Sequence, residues 1–68
     1  MINVAVIGCG YWGPNIIRNF CSLPNVNVKT VCDLDANRLA HIKKLYPVNV
    51  RTDVESIFTD GEIHAVAI

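Results

Sequence analysis

A strand-like apolar segment that breaks off at a set of spaced glycines leaves few folds open to this 68-residue chain. Residues 2–7 are apolar without interruption from Val4 to Ile7, the pattern of a parallel strand covered on both faces, and the run stops at Gly8. Gly8-Cys9-Gly10-Tyr11-Trp12-Gly13 follows at once, a G-x-G-x-x-G. From Trp12 the spacing of Gly13, Ile16, Ile17, Phe20 and Leu23 predicts a helix to about residue 22 with these positions on its inner face. Pro14 is compatible with it, because the N–H groups of a first helical turn have no intrahelical partner to lose.

The same alternation continues to the end of the chain. Residues 26–32 predict a second strand, wetter at its start (Asn27, Lys29) than at its end (Val31, Cys32). Asp35 is placed to N-cap a helix over 36–46 that turns Leu39, Ile42 and Tyr46 inward and sets Lys43 and Lys44 at the negative end of its dipole. Pro47 stops it. Residues 48–50 predict a short third strand. Thr52-Asp53-Val54-Glu55 fits an S/T-x-x-E capping box for a brief helix with Val54, Ile57 and Phe58 as its apolar side. Asp60-Gly61 closes that helix, and residues 63–68 predict a fourth strand. Strands alternating with helices are the signature of an α/β fold with a parallel sheet.

Chemistry concentrates where the first strand meets the first helix. In a dinucleotide-binding turn, Gly8 permits the tight bend, Gly10 lets the backbone approach a pyrophosphate, and Gly13 lets the helix pack against the strand. The helix N-terminus then directs free N–H groups and a positive dipole end at the anion. Asp33 lies 25 positions beyond Gly8, at the end of the second strand, where a carboxylate accepts hydrogen bonds from adenosine ribose hydroxyls. The plainer alternative is that the glycines only form a tight turn and Asp33 only solvates a strand end. A P-loop is excluded, since Pro14 and Asn15 follow Gly13 where a Lys-Ser/Thr is required. Asp33 would repel a 2′-phosphate, which favours NAD over NADP. Arg38 weighs against that preference if it reaches a 2′-phosphate or the adenosine, and not if it is a solvated helix arginine. Leu34 packs on the adenine face or on its neighbours. Tyr11 and Trp12 stand where loop, cofactor and substrate would meet, or else Trp12 covers the end of the sheet. Cys9 reads as a small filler, and His41 and His64 as structural or surface residues without metal-ligand spacing.

Composition narrows the partners. The hydrophobic share is 51% against 18% charged, too apolar for a disordered regulator. Six basic residues balance six acidic ones, so neither nucleic acid nor an anionic membrane is favoured. No apolar run approaches the roughly 20 residues of a membrane span. The three cysteines form no C-x-x-C pair and read as reduced, which predicts a soluble, cytoplasmic protein.

The segment from Val4 to Asn15, with Tyr-Trp-Gly-Pro-Asn as its most specific part, resembles the opening of the Gfo/Idh/MocA oxidoreductases. Cys32-Asp33-Leu34-Asp35 with Arg38, Thr52-Asp53, and the stretch from Asp60 to Val66 support the likeness, which extends over essentially the whole chain. His64 departs from it, standing where members commonly carry Asp. The resemblance implies a β-α-β-α-β-α-β portion of a doubly wound Rossmann sheet, strand order 3-2-1-4, with 1–68 as a dinucleotide-binding domain truncated in its fourth strand. It further implies an NAD(P)-dependent dehydrogenase passing hydride between a nicotinamide and a sugar or nucleotide-sugar hydroxyl, with catalytic lysine and substrate domain outside this segment. The expected cofactor contacts are Gly8, Gly10, Tyr11, Trp12, Gly13, Asp33, Leu34 and Arg38, and no residue is expected to be catalytic. The alternatives are a non-catalytic NAD- or ADP-binding module and an inactive fragment. An unpaired sheet edge at the fourth strand predicts self-association.

Overall fold

Val4, Ala5 and Val6 are all buried, so the first strand is covered on both faces, and the rest of the chain is arranged around it. The structure is a computed structural model and describes residues 1–8 and 13–68. Among these, the order is β1 (Ile2–Ile7), α1 (Gly13–Cys21), β2 (Val26–Cys32), α2 (Ala36–Leu45), β3 (Asn49–Arg51), α3 (Glu55–Phe58) and β4 (Ala65–Ala67). The strands form one parallel sheet in the order β3-β2-β1-β4. This is the parallel α/β sheet the alternation predicts, in the Rossmann strand order the resemblance implies.

The two faces of the sheet are unequal. Val6, Val28 and Val31 meet Ile17 of α1, Leu39 and Ile42 of α2, and Val48 in the larger cluster, with Ile16, Phe20, Tyr46 and Val50 packed against it. Ala5 and Cys32 meet Ile57 of α3 in the smaller one, flanked by Ile7 and Ile63. Side chains alternate along a regular strand, so Val28 and Val31, three apart, should face opposite ways. They do not, because the β1–β2 register passes from Val4↔Val28 to Ala5↔Thr30 and leaves Lys29 as an extra residue. This bulge restores the parity of the inward positions. Lys29 then forms ion pairs with Asp60 and Glu62 of the segment leading to β4.

Several boundaries differ from the sequence expectations, each for a local reason. Leu23 does not lie on the inner face of α1: the helix ends at Cys21 and Leu23 is 47% exposed. The Asp35 cap forms as expected, its Oδ1 accepting from the N–H groups of Asn37 (2.9 Å) and Arg38 (3.4 Å). The third strand lies one residue later than expected, because the Val48 N–H is spent on the Tyr46 carbonyl at 2.9 Å and the ladder with β2 starts at Asn49 and runs to Arg51. The capping box at Thr52 does not form. Asp53 caps α3 instead, accepting from the Ser56 N–H at 3.1 Å while the Ser56 hydroxyl donates to the Asp53 carbonyl at 3.0 Å. Of the predicted apolar side of α3 only Ile57 is buried, and Phe58 is 66% exposed. The fourth strand is shorter than 63–68 because the Ile63 N–H bonds the Asp60 carbonyl. His64 is structural: its N–H donates to the Asn3 carbonyl and its Nδ1 accepts from the Asn3 N–H, both at 2.9 Å, extending the β1–β4 pairing outward. No helix among the described residues is long and apolar enough to cross a membrane.

Candidate functional site

Parallel strands bring their C-terminal ends to one edge of the sheet, and in open α/β folds the ligand crevice lies there. Ile7 is paired with Cys32, and the ladder continues one step further as the Gly8 N–H donates to the Cys32 carbonyl at 2.8 Å. On the other side of β2, the Asp33 N–H donates to the Arg51 carbonyl at 3.1 Å. Gly8 and Asp33 are therefore carried on adjacent, hydrogen-bonded strand ends rather than on loose loops. Between them opens a cleft of about 340 Å³ lined by Ile7, Gly8, Cys32, Asp33, Leu34 and Val54. That is within the usual size range of small-molecule sites, about 300–1,000 Å³.

Gly8 has a φ of +84°, a conformation L side chains rarely adopt, while a Cβ there would meet nothing within 4 Å. The glycine is needed for the turn and not to avoid a neighbouring atom. Gly13 opens α1, as the motif expects. Gly10, Tyr11 and Trp12, together with Cys9, lie outside the described residues.

Asp33 is half-buried, and its Oδ1 accepts from the Asp35 N–H at 2.8 Å. This bond folds residues 33–35 into a tight turn and sets the orientation of the carboxylate. Leu34, at the tip of that turn, is 89% exposed and forms part of the cleft wall, so it is not packed on its protein neighbours. Arg38 is exposed, and its Nε lies 3.6 Å from Asp35 Oδ2. Cys32 is buried in the cleft floor, and burial first, then the negative charges of Asp53 and Asp33, push its thiol pKa up. It is held as a neutral, unreactive thiol.

The structure brings Gly8, Asp33 and Leu34 to one cleft and sets Arg38 on the adjoining helix, held toward Asp35. Sequence reasoning missed the walls Ile7, Cys32 and Val54. Ile7 and Cys32 were legible as the last residues of their strands; Val54 reaches the cleft only through the α3 connection, for which the sequence holds no local signal. The fit to a dinucleotide is chemical as well as geometric: a glycine turn at positive φ, a carboxylate fixed one strand away, and apolar walls between them suited to an adenosine.

The model of the oxidoreductase family with an NAD-binding Rossmann fold, Gfo/Idh/MocA, matches residues 2–68. A glyceraldehyde-3-phosphate dehydrogenase of Heyndrickxia coagulans is 37% identical over 62 residues, which is 88% of this chain and 18% of that protein. The solved structure of the WlbA dehydrogenase from Bordetella pertussis, in complex with NADH and UDP-GlcNAcA, superposes with a TM-score of 0.87 at 16% identity, covering 98% of this chain and 20% of that one. A protein from Desulfitobacterium hafniense described as an NADPH-dependent oxidoreductase superposes with a TM-score of 0.87 at 17% identity, covering 96% and 19%. The chain thus spans about a fifth of the length of the proteins it matches. With the family model matching nearly its whole length and the strand order β3-β2-β1-β4 in place, the chain belongs to the Gfo/Idh/MocA oxidoreductase family and carries part of its NAD-binding Rossmann fold.

Proposed function

We propose that this chain supplies the adenosine- and pyrophosphate-binding half of a cytoplasmic NAD-dependent oxidoreductase. The reaction moves a hydride between the nicotinamide and a hydroxyl-bearing carbon of a sugar or nucleotide sugar. The observation that carries this reading is the cleft between Gly8 and Asp33 at the C-terminal ends of β1 and β2. Gly8, Gly10 and Gly13 turn the backbone toward the pyrophosphate. Asp33 accepts hydrogen bonds from the ribose hydroxyls, Leu34 covers the adenine face, and Tyr11 and Trp12 border the cofactor on the substrate side. Arg38 stands beside the adenosine end. None of these residues is assigned acid/base chemistry, which falls to residues outside 1–68, as does the substrate domain.

NAD is preferred because Asp33 stands where a 2′-phosphate would sit. The related proteins span both cofactors, NADH in the Bordetella complex and NADPH in the Desulfitobacterium description, so the preference rests on this residue. The sugar or nucleotide-sugar substrate is supported by the UDP-GlcNAcA in the Bordetella complex.

Calorimetric titration with NAD, NADP and ADP tests the reading. Saturable binding is expected, tighter for NAD than for NADP. Asp33→Ala is expected to weaken NAD by about tenfold or more, the usual worth of hydrogen bonds to a charged group. No heat from a chain that is folded by circular dichroism would refute it. The proposal extends to self-association: among the described strands β4 pairs only with β1, and its exposed edge carries Ala65, Val66 and Ala67 without a charge to blunt it. Sedimentation at rising concentration is expected to show a mass above that of the monomer, and a constant monomer mass would rule this out.

A further inference from the structure

We propose that His64 is a pH-sensitive joint between β1 and the segment entering β4: the neutral imidazole closes the joint and the protonated form opens it. The proposal is independent of the cleft between Gly8 and Asp33 and of any substrate. The element it biases is β4, whose pairing among the described strands is with β1 alone, over Val4↔Ala65, Ala5↔Val66 and Val6↔Ala67. In so short a ladder the contacts at its entry decide how firmly the strand is held.

The contact works in one charge state only. The Asn3 N–H donates to His64 Nδ1 at 2.9 Å, and the Asn3 carbonyl accepts from the His64 N–H at 2.9 Å, so the two residues close a ring outside the last ladder pair. A backbone N–H is always a donor, so Nδ1 must carry a lone pair and the ring proton must sit on Nε2. Protonation places a donor on Nδ1 opposite the Asn3 N–H, and the hydrogen bond is lost to two facing donors. Asn3 is meanwhile held from both sides: its Nδ2 donates to the Glu62 carbonyl at 3.0 Å, and its Oδ1 accepts from Asn27 Nδ2 of β2 at 3.1 Å. His64 is exposed, so protons reach it from solvent. Histidine is the side chain that ordinarily changes charge between about pH 5 and 8, so the joint is closed at the upper end of that range and weakened at the lower. Among the described residues, the charged groups on the segments that meet here are the Met1 ammonium at the start of β1, Lys29 of β2, and Asp60 and Glu62 before His64; both carboxylates pair with Lys29.

His64→Asn separates the acceptor from the charge, because the asparagine Oδ1 takes the place of Nδ1 and does not titrate, while every other charged group stays. Amide hydrogen exchange at Asn3, corrected for its intrinsic pH dependence and read against the amides of β2, measures how far the joint is closed. From about pH 8 to about pH 5 the protection of Asn3 is expected to fall about three- to tenfold in the parent, the equilibrium equivalent of one ordinary hydrogen bond, and to stay level in His64→Asn. Nitrogen NMR of the imidazole at the alkaline end is expected to show the ring proton on Nε2. Lys29→Met is expected to keep the fall, since the imidazole contact does not pass through the ion pairs. His64→Asp, which also presents an oxygen acceptor, replaces His64→Asn should the latter fail to fold. Level protection of Asn3 in the parent, an equal fall in the variant that keeps the acceptor, loss of the fall in Lys29→Met, or a ring proton on Nδ1 would each overturn the proposal.

Discussion

Lys29 is the residue the β1–β2 register leaves out, and its ion pairs connect the bulge to the chain entering β4. The hydrogen bond from its ammonium holds the Asp60 carboxyl below the usual aspartate range, and Asp60 in turn holds the Lys29 ammonium above the usual lysine range. The aspartate's pKa is depressed on folding, so its contribution is complete above the unfolded value of about 3.9 and is lost as pH falls through the lower native value. The lysine's is raised, so its contribution is complete below about 10.4 and is lost as pH rises through the higher native value. Lys29→Met is therefore expected to melt below the parent at neutral pH, with the gap closing in acid and again in strong base. A gap in thermal melts that stays constant from acid to base would show that the bulge, and not the ion pair, is what the substitution disturbs.

The short helix α3 is held by a cap one residue later than its sequence suggests. Asp53→Ala removes the acceptor of the Ser56 N–H and is expected to cost about 1 kcal/mol in denaturant unfolding, whereas Thr52→Ala should cost only a few tenths. Equal costs would put Thr52 back as the cap. The contrast with α2 explains what could be read in advance. Asp35 precedes a ten-residue helix with Leu39 and Ile42 in phase, so cap and period agree. In α3 four residues carry too little period to choose between Thr52 and Asp53, and the burial of Ile57 alone, with Phe58 outward, depends on where β1 and β2 lie. β1 and β2 were legible because their apolar runs are long, but the bulge was not, since an extra residue has meaning only against a partner strand. The site divides in the same way. Gly8 and Asp33 were legible because a glycine turn and a strand-end carboxylate are local chemistry. The Asp35–Arg38 pair, though open to an i,i+3 reading, and the Val54 wall became visible only once the elements were placed.

Size links the stability of the fold to its ligand. The radius of gyration of 10.7 Å equals, within a few tenths of an ångström, the value of about 10.9 Å expected for a folded chain of this length. Its 4492 Å² of accessible surface lies close to the ~4,250 Å² expected for its mass. Even so, a chain this short buries only about 60% of its unfolded surface, and a core of this kind rarely supplies more than about 3–5 kcal/mol. Any ligand that binds the folded state alone then has a large relative effect: at one hundred times its dissociation constant it adds about 2.7 kcal/mol. In a domain of this size that shifts the melting midpoint by on the order of 10 °C. The adenosine half of the dinucleotide should be sufficient, because the described part of the cleft lies between the ends of β1 and β2. NAD and ADP are accordingly expected to raise the melting midpoint in proportion to the logarithm of their concentration, and nicotinamide mononucleotide to leave it unchanged. Equal stabilisation by nicotinamide mononucleotide would mean that the chain recognises phosphate alone, and the ribose contact assigned to Asp33 would have to be given up.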